Sequence, residues 1–135
     1  MKIKLLAFSV GAMLLLTTAS SFAHHSFAAE YDAKKPVTLT GTVTKVEWMN
    51  PHIFFYVDVK DSDGKVTNWR GEGGNLSGLM RRGWRKDSLK VGDVVTIEGS
   101  LAKNGQPLVN ARTVTLADGK KLFAGSSGGD DYSER

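Results

Sequence analysis

The sequence predicts a mainly β fold, a five-stranded OB-like barrel with one short helix between strands three and four. Three observations carry that expectation. Five segments rich in β-branched and aromatic residues, at 37–48, 53–60, 65–70, 94–101 and 108–116, are separated by strong turn signals. One helical pattern lies between the third and fourth of them. The first segment changes phase midway, as a strand does when it bends to serve both sides of a small barrel. A plain five-stranded meander is the competing arrangement.

In strand one, Val37, Leu39, Gly41 and Val43 share one parity, whereas Val46 and Trp48 fall on the other. Such a shift marks a bulge or bend, and Gly41 is the residue that would permit it. Asn50-Pro51 then breaks the pattern. Strand two turns Ile53, Phe55, Val57 and Val59 inward and leaves Phe54, Tyr56, Asp58 and Lys60 facing out. Asp61-Ser62-Asp63-Gly64 reads as a hairpin turn into strand three, which ends at Arg70. Gly71 to Gly74 reads as a loop.

Asn75 is a helix cap for Leu76, Leu79 and Met80, and Gly83 ends that short helix. Leu89-Lys90-Val91-Gly92-Asp93 turns into strand four. Asn104-Gly105 is a hairpin signal into strand five, and Asp118-Gly119 leads to a brief extension at 120–123. The domain organisation expected is a signal peptide over 1–23, an N-terminal arm over 24–36, the barrel over 37–124 and a disordered Gly/Ser/Asp tail over 125–135.

The leader rests on a three-part pattern. Lys2 and Lys4 precede an apolar run from Leu5 to Leu16, and Ser21-Phe22-Ala23 offers small residues at the two positions a signal peptidase reads. The run is too short for a membrane anchor, and no later stretch approaches the roughly 18 apolar residues that a span requires. Removing residues 1–23 leaves about 112 of the 135, enough for one domain. Without Lys2 and Lys4 the 18 basic side chains fall to 16 against 14 acidic, a net of +2 that says little about partners. Cysteine is absent, which excludes disulfides, thiolate metal sites and a cysteine nucleophile. The expectation is a soluble periplasmic or secreted protein.

Cleavage after Ala23 would start the mature chain at His24-His25-Ser26-Phe27. An N-terminal histidine chelates through its amine and a ring nitrogen together, and a second imidazole completes a T-shaped nitrogen set that suits Cu(II). His24, His25 and the loop residue His52 are therefore the candidate copper ligands. Asp32, Glu30 or Glu47 could add an oxygen, and Met49 a soft sulfur for Cu(I). The bland reading of these histidines is a polar terminus and one hydrogen-bonding loop side chain.

Trp48, Phe54, Tyr56 and Trp69 form a candidate aromatic binding face, joined by Asn50 beside the loop histidine. The plain alternative is that the arm, the helix or a partner covers the rings. Arg81, Arg82, Arg85 and Lys86 around Trp84 could meet an anionic surface, but read better as a solvated edge with Trp84 closing the core. Export argues against a nucleic-acid target. Gly71-Glu72-Gly73-Gly74 lacks the Lys-Ser/Thr ending of a phosphate-binding loop. No pair of acids and no Ser-His-acid order marks a catalytic centre.

Together, His24-His25-Ser26-Phe27, Gly41-Thr42-Val43, Glu47-Trp48, Asn50-Pro51-His52, Arg82-Gly83-Trp84 and Leu89-Lys90-Val91-Gly92-Asp93 resemble a group of small exported bacterial proteins known only as a domain of unknown function. The resemblance spans His24 to about Ser127. It implies a small β-rich exported domain and no activity. More loosely, the strand order is similar to periplasmic OB-fold proteins, some of which handle small ligands or cofactors, a likeness of fold alone. The reading that emerges is a non-enzymatic binding module for a small ligand or copper. The alternative is a domain that docks an exported protein partner on its aromatic face, and a metal-dependent redox enzyme ranks third.

Overall fold

A computed structural model of the chain describes residues 27–125. The leader expected over 1–23, the candidate ligands His24 and His25, and all but Gly125 of the expected tail lie outside the described residues. A helical turn at 27–30 precedes β1 (Tyr31–Glu47). There follow β2 (Phe54–Lys60), β3 (Val66–Glu72), α1 (Leu76–Arg81), β4 (Val94–Ala102), β5 (Leu108–Leu116) and β6 (Lys121–Phe123). The fold is mainly β, with the short helix between the third and fourth strands.

The sheet runs β3-β2-β1-β4-β5-β6, with antiparallel neighbours, and β3 also pairs in parallel with β5. Ladders therefore run from β1 through β2, β3, β5 and β4 back to β1. Among the described residues six strands are present where five were expected, because the extension after Gly119 pairs with β5 through Val114 and Leu122.

Three features of the strands differ from the sequence reading. β1 starts at Tyr31, six residues before Val37, because Tyr31 pairs with Ala102 on β4. The ladder is irregular between Tyr31 and Pro36, the kind of place where a strand accepts proline. The phase change in β1 falls between Val43 and Lys45 and not at Gly41. Gly41 serves close approach instead: a Cβ there would lie 2.2 Å from the Asp58 carbonyl oxygen on β2. Third, β3 continues past Arg70 to Glu72, through the stretch read as a loop.

The inward alternation of β2 buries Ile53, Phe55 and Val57 completely. They meet Val95 and Ile97 from β4 and Val109 and Val114 from β5 in one apolar cluster. Asn75 caps α1 by accepting from the Gly78 N–H at 2.8 Å, and Leu79 turns into the core while Met80 stays exposed. Trp84 is fully buried, and its indole N–H donates to the Phe123 carbonyl at 2.8 Å, fastening β6 over the core. The basic run around it is exposed, and two of its arginines hold backbone carbonyls. Arg82 reaches Gly125 and lies over the Phe123 ring, and Arg85 reaches Trp84. Among the described residues, no helix is long and apolar enough to cross a membrane.

The expected loop at 71–74 is half strand, since Gly71 and Glu72 belong to β3, and its glycines have a packing reason. A Cβ on Gly71 would fall 2.4 Å from the Phe55 ring, and one on Gly73 would fall 2.5 Å from the Ile53 side chain. Both are bare so that β2 core residues can cross over β3. Gly71→Ala should therefore destabilise the fold by about 1–3 kcal/mol, the usual cost of overpacking. Urea unfolding checks this, and a midpoint equal to that of the unaltered protein would contradict it.

Candidate functional site

The pairing of Phe54 with Glu72 sets the site. His52 stands two residues before Phe54, so it shares the outer face of β2, diagonal to Glu72 across the ladder. The backbone extends that ladder past the formal strand ends. The Ile53 carbonyl accepts from the Gly73 N–H at 2.9 Å, and the Ile53 N–H donates to Gly74 at 3.2 Å. Gly74 in turn donates to Ala124 at 2.7 Å, which ties the pair of strand ends to the segment after β6. The loop histidine thus sits on a fixed backbone.

Glu72 bridges two side chains. One carboxylate oxygen bonds His52 Nδ1, and the other accepts from the Tyr31 hydroxyl at 2.5 Å. A carboxylate has only acceptor sites, so both neighbours donate to it. Its side chain is 13% exposed against 35% for His52, which makes the carboxylate the inner partner and the imidazole the outer one. Burial pushes the Tyr31 phenol well above the ordinary tyrosine range, and the hydrogen bond to Glu72 and the negative charge of Glu72 push it further. Arg70 acts in the opposite direction.

Tyr31 also anchors the arm. The Phe27 ring stacks on it at 5.8 Å and 28°. Lys103, in the turn after β4, donates its backbone N–H to the Glu30 carbonyl at 2.9 Å and its ammonium to the Ala28 carbonyl. Residues 27–31 are therefore held against the strand ends that carry Glu72 and His52.

The candidate aromatic face divides. Phe54 and Tyr56 face outward, but each carries a cation: Arg70 lies 4.0 Å from the Phe54 centroid and Lys45 lies 5.1 Å from that of Tyr56. The Tyr56 hydroxyl donates to Glu47 at 3.3 Å. Glu47 also takes the Lys45 ammonium, and that hydrogen bond raises the Lys45 pKa and lowers that of Glu47. Trp69, expected beside Phe54 and Tyr56, lies opposite Val57 on the core side. Trp48 likewise packs against the core. Asn50 and Met49 are exposed in the loop before His52.

Of the three candidate histidines, only His52 lies among the described residues, and it is joined there by Glu72 and Tyr31. Sequence reading placed Glu72 among the acids near the face without pairing it to His52, and passed over Tyr31. Glu72 had a signal, since Asn68, Arg70 and Glu72 alternate on one face once the strand is carried through Gly71. Tyr31 had none, because its pairing comes from a segment about seventy residues away. Among the described residues, no three His, Asp, Glu or Cys side chains gather into a metal-holding group.

Because the Tyr31 phenol keeps its proton unusually far up the pH scale, its contribution to stability is complete below about pH 10, the ordinary tyrosine value. It is lost as pH rises through the higher folded value. Alkaline ultraviolet titration should show one phenol ionising late, and Tyr31→Phe should remove that phase. A late phase surviving in the variant would contradict the assignment.

A family model described as a family of unknown function (DUF6152) matches residues 12–109, and the chain belongs to that family. Among curated proteins no match is found.

Proposed function

We propose that this member of the family is an exported periplasmic binding module, non-enzymatic, that holds copper through the processed terminus His24, through His25 and through the loop imidazole of His52. One observation supports the reading above others: the described part of the arm, from Phe27, is fastened to the site that carries the loop histidine. Phe27 stacks on Tyr31, Tyr31 bonds Glu72, and Glu72 holds His52. Three peptide steps separate Phe27 from His24. At 3.8 Å per trans step, their Cα atoms are no more than about 11 Å apart. Chain length thus keeps the terminal amine near the ring that anchors the arm.

The chemistry of the donor set favours copper. An amine with two or three imidazoles is an all-nitrogen set of the kind that suits tetragonal Cu(II), and no thiolate competes for it. The circuit of ladders, with α1 between β3 and β4, supports the finer description of the fold as a closed OB-like barrel. In that architecture the site would lie at one rim, where the arm, the loop after β1 and the end of β3 converge. The rival reading, a protein partner docked on the aromatic face, is weakened by the cations already seated on Phe54 and Tyr56 and by the inward packing of Trp48 and Trp69.

Cu(II) titration of protein beginning at His24, against a variant with one Ala placed before His24, tests the reading. The extra residue should weaken binding about tenfold or more and alter the electron paramagnetic resonance spectrum, because it removes the terminal amine chelate. Equal affinity and an unchanged spectrum would eliminate the amine-based site.

A further inference from the structure

We propose that the Arg70 guanidinium, laid on the Phe54 ring, is the anion-recognising group of a separate site, one that takes a small organic carboxylate on the outer face of β2 and β3. The inference goes beyond the copper reading and does not depend on it.

The pairing of three strands sets out this face in two rows. Glu47 on β1 and Glu72 on β3 both lie opposite Phe54, and in the next row Lys45 and Arg70 both lie opposite Tyr56. Each outer strand thus carries a base and an acid two residues apart on one face. On β1 they meet: the Lys45 ammonium bonds Glu47, whose other oxygen accepts from the Tyr56 hydroxyl at 3.3 Å. On β3 they do not. Glu72 gives its two oxygens to Tyr31 and His52, and the Arg70 guanidinium lies instead over Phe54, its central carbon 4.0 Å from the ring centroid.

Arg70 is therefore a cation whose neighbouring acid is taken. Among the described residues its side chain makes no hydrogen bond, and its Nε is the one buried side-chain nitrogen or oxygen without a partner. Leaving such a donor unpaired is costly, and stability does not account for it. Arg82 and Arg85 behave differently, giving their N–H groups to backbone carbonyls. Arg70 is held by a ring, which fixes the plane of the guanidinium and leaves its donors uncommitted. Its terminal nitrogens are not sealed as Nε is, and the residue is half-buried. Two parallel N–H groups on a planar cation match the two oxygens of a carboxylate in a forked contact. The surroundings select the charge: Glu47 and Glu72 flank Phe54, so a dianion such as phosphate is repelled where a monoanion is offset by one guanidinium. The half-buried rings of Phe54 and Tyr56 give apolar surface for the carbon frame of the ligand.

Proton–nitrogen NMR during titration with benzoate tests the site, read at the Arg70 Nε–H and at the backbone amides of Tyr56 and Arg70. The expected result is a saturable shift of these signals with benzoate and none with benzamide, which has the same shape and lacks the charge. Phosphate should bind about tenfold more weakly than benzoate, or less tightly still. Arg70→Gln should weaken benzoate binding about 10–100-fold, the effect of losing a charge-assisted hydrogen bond. Arg70→Lys keeps the charge and loses the fork, so it should weaken binding several-fold, and it carries the test if Arg70→Gln does not fold. Shifts that never saturate, an equal response to benzamide, phosphate binding as tight as benzoate binding, or unchanged benzoate affinity in the folded variants would each overturn the proposal.

Discussion

Glu72 accepts on both oxygens, from a buried phenol on one side and a half-open imidazole on the other, and the candidate site depends on that bridge. Each donor comes from a different part of the chain. Tyr31 opens β1 and brings the arm with it, whereas His52 ends the loop into β2. The carboxylate closing β3 bonds both. The backbone ladders hold the arm and the loop in place, and the carboxylate joins their side chains. With it, a phenol that burial keeps protonated becomes a permanent donor, and the orientation of the histidine ring follows.

The backbone supplies the rigidity that the side chains need. Gly71 and Gly73 carry no side chain because Phe55 and Ile53 occupy that space, which brings the end of β3 close beneath β2. The Ile53 bonds to Gly73 and Gly74 then hold the histidine-bearing residues in register. Core packing and site geometry are thus one arrangement: the glycines that let the core close also place Glu72 beside His52. Across the outer face, Arg70 and Lys45 cover the rings of Phe54 and Tyr56.

Much of the fold was legible because it is encoded locally. The alternation from Ile53 to Val59, the Asp61–Gly64 and Asn104-Gly105 turns and the Asn75 cap are short-range signals, and β5 runs over the residues that its pattern marks. What escaped reading is set by distant partners. The stretch from Tyr31 to Pro36 has no period, and its place in β1 follows from pairs at its two ends, with Ala102 and Ser100 of β4. Glycines at 71 and 73 resemble a loop until the residues crossing them are known. The face of Trp69 follows from its pairing with Val57, which a six-residue segment cannot announce. The site suffered most from this. His52 stood out as a lone loop histidine, but its carboxylate lay in the supposed loop and its tyrosine in the supposed arm.

In the proposed copper site the terminus and the loop histidine would meet at one metal ion. The most direct measurement is a crystal structure of protein beginning at His24 grown with Cu(II), with anomalous scattering collected at the copper edge. The account predicts one strong peak about 2 Å from a ring nitrogen of His52 and from the His24 amine. Copper bound to the terminus alone and away from His52 would contradict it.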